Sequence, residues 1–192
     1  MTLPIAFAVA YLLGAIPTSY IVVFLTTGRD IRSVGNGNPG TMNVWDNVGP
    51  RSAVLVGLGD VGKGMAAVGV AYWLGFGDSI AIACAVIAVL GHDYSIFLRF
   101  HGGNGTAAMV GAFFALVPQA TLVASGVAVA TTFALHSKRR GGIVGLLMVP
   151  ALAVWFGYPD TRVAGVALLL TVVALKIIRF EGFSPARSRP PR

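Results

Sequence analysis

The sequence predicts an all-α integral membrane protein of seven short transmembrane helices, with the N-terminus outside and the C-terminus cytoplasmic. Three observations carry this expectation. Hydrophobic residues make up 56% of the 192 positions and charged residues 11%, against roughly 45–50% and about 25% in soluble domains. Apolar stretches close to the ~20 residues that cross a bilayer recur along the whole chain. The basic residues then gather on one side of those stretches, as cytoplasmic loops do.

Stretches 3–25, 53–74 and 80–98 are long enough for a crossing as they stand, 141–156 is shorter, and 162–178 is adequate. Stretch 106–135 would run about 45 Å as one helix, too long for a single hydrocarbon core. Pro118 divides it into two short spans, because a ring without an N–H breaks or bends a helix. With seven crossings, one side receives Arg29, Arg32, Arg51, Arg99, Lys138, Arg139, Arg140, Arg179, Arg187, Arg189 and Arg192. The other receives Asp78, Asp160 and Arg162. Six crossings would place Lys138–Arg140 opposite Arg29 and Arg32, against the positive-inside tendency.

Trp73, Trp155 and Tyr158 fall near expected outer ends, as an aromatic belt requires. Gly57, Gly59, Gly62, Gly64 and Gly69 in the second span, and Ala107, Ala108 and Gly111 in the fourth, suit close helix packing in lipid. Residues 1–183 are expected to form one transmembrane domain and 184–192 a basic, Pro-rich cytoplasmic tail. No cleavable signal peptide is expected, because the first span lacks a basic leader. The net charge of +7 is read as membrane topology rather than nucleic-acid binding. Cys84 lies in an apolar run and reads as a small buried residue.

Three polar constellations interrupt this apolar frame. The first follows the first span and runs from Gly28 to Asn43, holding Arg32, Asn36, Gly37, Asn38, Gly40, Thr41 and Asn43. Its glycines and asparagines permit left-handed turns, which aim backbone N–H groups at an anion. The second is Asp60-Val61-Gly62-Lys63-Gly64 in the second span, with opposite charges three apart on one helical face. Charges within a span cost about 2.5–3.5 kcal/mol each on insertion scales and mark a functional site or a helix-locking ion pair. A P-loop is excluded here, because Gly64 stands where Ser or Thr would hold magnesium.

The third runs from Gly91-His92 to His101-Gly102-Gly103-Asn104-Gly105 and opens into the fourth span. Amides at a helix start, with the helix dipole, form a seat for phosphate. His92 and His101 have no metal-like spacing to carboxylates and are weak evidence for a metal. No serine elbow, HExxH pair or carboxylate dyad occurs, so chemistry must rest on positioning and charge stabilisation.

Together these pieces resemble the acyl-phosphate-dependent glycerol-3-phosphate acyltransferase family of bacteria, commonly called PlsY. The likeness rests on Gly14-Ala15-Ile16-Pro17 followed by Arg29-Asp30-Ile31-Arg32 through Asn43, then on Asp60, Lys63 and Gly64. It continues through Gly91-His92, Phe97-Leu98-Arg99-Phe100 and Gly102-Gly103-Asn104-Gly105-Thr106-Ala107. The resemblance implies seven helices and a cytoplasm-facing site in the inner membrane. There an acyl group passes from acyl phosphate to glycerol 3-phosphate, yielding lysophosphatidate in phospholipid biosynthesis. It implies no metal or nucleotide, so no cofactor is expected; the surroundings are membrane lipid, and no obligate protein partner is evident in the sequence. On this scheme Lys63 and His92 are the catalytic candidates. Arg32, Asn36, Gly37, Asn38, Gly40, Thr41, Asn43, Asp60, Gly64, His101, Gly102, Gly103, Asn104 and Gly105 bind substrate phosphates.

The sequence departs from the family pattern at Asn36 (family Ser), Asp46 (family Arg), His101 and Asn104 (both family Lys), and around Lys176–Glu181. Those departures support a second reading, a catalytically impaired relative that binds an acyl or phosphate-bearing lipid or scaffolds a partner. A small transporter is disfavoured by the lack of internal repeats.

Overall fold

The apolar runs fold into helices in the computed structural model, which describes residues 2–181. Among those residues there is no strand. The tail expected over 184–192 lies outside the described residues.

The first apolar stretch is two helices, α1 (Thr2–Ala15) and α2 (Thr18–Thr27), rather than one uninterrupted crossing. Pro17 explains the break, since it lacks an N–H and drives Ile16 out of helical conformation. Non-helical backbone persists at membrane depth only where protein covers its polar groups. Here Ser95 Oγ donates to the Ala15 carbonyl, and Lys63 Nζ donates to the Ile16 carbonyl at 3.0 Å.

Gly28 closes α2 in the left-handed conformation (φ 67°). A short 3-10 turn, Ile31–Ser33, follows, capped by the Asp30 carboxylate on Arg32 N. The end of the expected loop is in fact helical, as α3 (Thr41–Asn47). Next come α4 (Pro50–Trp73), α5 (Asp78–Asp93) and a 3-10 turn, Ile96–Leu98. α6 (Thr106–Leu116) and α7 (Pro118–Ala134) meet at Pro118, which takes the first position of α7. α8 (Lys138–Trp155), capped by Ser137 Oγ, and α9 (Asp160–Lys176) complete the bundle, with a final π-helical turn at Ile177–Glu181.

Among the described residues, four helical segments are long and apolar enough to cross a bilayer: Thr2–Thr27, Pro50–Trp73, Asp78–Leu98 and Asp160–Arg179. Thr106–Leu116 is apolar but shorter. The core between helices is alanine-rich, with Ala10, Ala67, Ala85, Ala88, Ala108 and Ala112 fully buried. Glycines press backbone on backbone in reciprocal pairs. A Cβ at Gly14 would strike the Ala88 carbonyl of α5, and one at Gly91 the Tyr11 carbonyl of α1. Gly64 of α4 and Ala108 of α6 meet in the same way, as do Gly111 of α6 and Val61 of α4. In lipid, where no hydrophobic force joins helices, such close approach is a principal source of association energy.

One end of the bundle is closed by a polar clasp. Asp78 accepts from Tyr72 Oη at 2.8 Å and from Arg162 Nε at 2.9 Å, while Arg162 also donates to the Leu116 carbonyl. Trp73 and Trp155 stand exposed at this end, where an interfacial belt would lie.

Candidate active site

One helical turn separates Asp60 and Lys63 on α4, and both side chains are buried. Lys63 Nζ lies 2.8 Å from Asp60 Oδ1. It also donates to the Ile16 carbonyl at 3.0 Å and to Thr18 Oγ1 at 3.5 Å, so three acceptors surround its three protons. Thr18 Oγ1 in turn donates to Asp60 Oδ1 at 2.7 Å. His92 Nδ1 stands 3.7 Å from the same carboxylate oxygen, a neighbour beyond hydrogen-bond reach. The intramembrane charges therefore neutralise each other around the break between α1 and α2.

The loop after α2 is organised by Asn43, whose side chain is buried. Its Nδ2 donates to the Val34 and Asn38 carbonyls, both at 2.9 Å, and its Oδ1 accepts from Asn36 N and Asn47 Nδ2. Asn36 Oδ1 accepts from Asn38 N, and Ser19 Oγ donates to the Pro39 carbonyl, which pins the loop to α2. Gly35 is required, because its φ is +57° and a Cβ would meet the amides of Asn43 and Asn47. Arg32 pairs with Asp30 through Nε and Nη2. That guanidinium holds the Asp30 carboxyl below the ordinary carboxylate value, and the carboxylate raises Arg32 in return.

The diglycine bend is stitched to the end of α5. Gly102 N donates to the Asp93 carbonyl and Gly103 N to the His92 carbonyl. Side chains at Gly102 or Gly103 would run into the His92 carbonyl or ring. Gly105, at φ +68°, turns the chain into α6, whose first amides follow directly. His101 Nδ1 lies 2.7 Å from the Arg99 carbonyl, and Asn104 is half-buried.

These pieces meet. A small recess is lined by residues 15–19, Pro39, Asp60, Lys63, His92, Ser95, Leu98 and Gly103. Of the residues expected from the sequence, it gathers Asp60, Lys63, His92 and Gly103. Arg32, Asn36, Gly37, Asn38, Gly40, Thr41, Asn43, Gly64, His101, Gly102, Asn104 and Gly105 lie outside its lining. Gly64 faces Ala108 rather than the recess, and Thr41 packs against Gly57. An apolar groove between α6, α7 and α8 begins at Thr106, directly after the bend, and runs past Phe113, Ala124, Ala128, Gly142, Gly145 and Val149. Among the described residues, no three His, Cys, Asp or Glu side chains gather as a metal site would need.

Sequence reasoning missed five participants. Thr18 and Ser19 follow the proline inside an apolar run, and that proline was the available signal. Ser95 covers the Ala15 carbonyl. Asp93 is buried at the end of α5, and Lys176 Nζ lies 3.3 Å from its Oδ1. Both are charges at the ends of spans, a pattern that points to pairing.

Fold and site define a multi-pass membrane protein with a charge-paired polar recess at one end of its helices. A family model described as glycerol-3-phosphate acyltransferase matches residues 4–182. The glycerol-3-phosphate acyltransferase of Dechloromonas aromatica is 36% identical over 168 residues, covering 86% of this chain and 85% of that one. Glycerol-3-phosphate acyltransferase 1 of Deinococcus radiodurans is 35% identical over 173 residues, 90% of this chain and 87% of that protein. Glycerol-3-phosphate acyltransferase 2 of Dehalococcoides mccartyi is 44% identical over 115 residues, which span 60% of this chain and 55% of the relative. The crystal structure of PlsY, an integral membrane glycerol 3-phosphate acyltransferase in its glycerol 3-phosphate form, superposes with a TM-score of 0.83 at 26% identity, covering 93% of this chain and 90% of that one. The chain belongs to the glycerol-3-phosphate acyltransferase family.

Proposed function

We propose that this protein transfers a fatty acyl group from acyl phosphate to glycerol 3-phosphate at the inner leaflet of the cell membrane, releasing lysophosphatidate and inorganic phosphate. Family membership makes it a membrane acyltransferase of phospholipid synthesis. The acyl phosphate donor, the residue roles, the seven crossings, the outside N-terminus and the cytoplasmic recess are the proposal's own. Residues 1–183 act in it as a single transmembrane domain.

One observation carries the reading. Pro39, Lys63, His92 and Gly103, drawn from three separate sequence blocks, line one recess. The asparagine–glycine loop and the diglycine bend therefore open to the same side of the bundle. That side carries Arg29, Arg32 and Arg99 and the first turn of α8 with Lys138, Arg139 and Arg140, and the positive-inside tendency favours the cytoplasm for it.

In the proposed reaction the glycerol hydroxyl attacks the acyl carbonyl, and the bond from carbonyl carbon to phosphate oxygen breaks. The leaving phosphate takes the hydroxyl proton, so no protein base is required; His92 is placed to assist it. Negative charge grows on the leaving group. Backbone amides of the first turn of α6, which follows the bend, and the nearby Lys63 ammonium offset it. The groove that begins at Thr106 receives the acyl chain, which keeps the ester carbon at the bend and the alkyl tail among apolar side chains.

The test is to supply purified protein with palmitoyl phosphate and glycerol 3-phosphate and follow lysophosphatidate. Product above an empty-detergent control is expected. Its absence, with both substrates still bound, would instead support a binding-only relative.

A further inference from the structure

The charged contact between α5 and α9 belongs to neither the Asp60–Lys63 pair nor the outer clasp. Asp93 ends α5 with its side chain buried, and both carboxylate oxygens lack a well-aligned hydrogen-bond donor. Its partner is Lys176 at the end of α9, whose Nζ lies 3.3 Å from Asp93 Oδ1. The same ammonium donates to the Asp93 carbonyl at 3.3 Å and to the Gly103 carbonyl, and it sits 4.9 Å over the Tyr94 ring. The Gly103 carbonyl is part of the bend, and Gly102 N already holds the Asp93 carbonyl. A Cβ at Gly105 would meet Asp93 Oδ1, so the carboxylate lies against the residue that turns the chain into α6.

We infer that Lys176 is a positioning residue. Anchored by Asp93, it fixes the Gly102–Gly105 bend so that the amides leading into α6 hold a donor phosphate. A buried ion pair on this scale is an expensive way merely to join two helices, because apolar packing of similar volume does as well or better. Its placement is informative for that reason. Of the groups Lys176 touches, one is a bend carbonyl and two belong to the residue that holds the bend. The last helix thus reports on the phosphate seat, 73 residues away in the chain.

This inference rests on the proposed donor site, and its test separates the two. Affinity for palmitoyl phosphate is read on the purified full-length protein from the ligand-induced rise in Tm, which requires no turnover. Lys176→Met alone strands Asp93 in the interior and is expected to unfold, so the informative variant is Asp93→Asn with Lys176→Met, which removes both charges together. The ligand-free Tm of that double variant is expected to stay near wild type, while palmitoyl phosphate binds about ten-fold or more weakly. Lys176→Arg, which keeps a donor for Gly103, is expected to bind as wild type does. Wild-type affinity in the double variant overturns the inference, as does a loss of affinity matched by an equal fall in ligand-free Tm. A wild-type protein that does not bind palmitoyl phosphate overturns it too. Absence of lysophosphatidate with binding and its Lys176 dependence intact overturns only the catalytic reading.

Discussion

Lys63 of α4 donates a 3.0 Å hydrogen bond to the carbonyl of Ile16, the residue before the proline that breaks the first apolar stretch. A charged side chain thereby repairs a main-chain defect at membrane depth. The same ammonium lies 2.8 Å from Asp60 Oδ1, so a single group serves the fold and the recess.

Lys63→Met is expected to destabilise the protein by about 3–5 kcal/mol, because it leaves Asp60 buried and unpaired. Asp60→Asn combined with Lys63→Met removes both charges and is expected to recover much of that loss while remaining inactive. Thermal melts in detergent, read beside lysophosphatidate formation, separate the two contributions.

Gly64→Ala and Gly111→Ala each push a methyl group into a facing backbone carbonyl, of Ala108 and Val61 respectively. Overpacking of this kind costs about 1–3 kcal/mol. Gly62→Ala, on the same helix with open space around it, is the control and is expected to be near neutral. The fraction of monodisperse protein surviving a heat step ranks the three variants.

Asn104→Lys adds a cation beside the bend. A charge-assisted hydrogen bond contributes about 1.5–3 kcal/mol. The expected result is a fall of about ten-fold in KM for the phosphate-bearing substrate whose anion it meets, with kcat little changed. Steady-state kinetics in each substrate identify which phosphate lies there.

Asp30 titrates below its ordinary value of 3.8 because Arg32 bonds its carboxylate. A depressed folded-state value means that the pair's contribution to stability is fully present above that ordinary value. It fades only as pH falls through the lower folded value. Between neutral pH and about 5 the pair should therefore contribute no pH dependence. Arg32→Ala is expected to return the Asp30 titration towards 3.8, which carbon NMR of the labelled carboxyl measures.

Much of this arrangement was legible before the coordinates. Apolar length located the helices, and Pro118 divided the long stretch because a ring lacking an N–H restarts a helix at its first position. Asp60 and Lys63 announced themselves as opposite charges three apart within an apolar run. Other features left weaker traces. Hydropathy passed straight through Pro17, and only the proline itself hinted at the break between α1 and α2. α3 has seven residues, too few to display a helical period. Lys176 and Asp93 lie 83 residues apart, and no local pattern joins them. The hydrogen bonds by which the Asn43 amide holds its loop together have no local sequence signature.

The break at Pro17 carries a consequence for how such sequences diverge. Two carbonyls at the kink have side-chain donors from elsewhere in the chain, Ser95 for Ala15 and Lys63 for Ile16. A lineage that straightened the first helix would free Ser95 from that task, while Lys63 would keep Asp60 as its partner. One that lost Ser95 would leave the Ala15 carbonyl without its side-chain donor, whereas the Ile16 carbonyl, without Lys63, would keep the Thr18 amide at 3.0 Å. Positions 17 and 95 are thus expected to drift as a linked pair, while position 63 is held by its place in the recess.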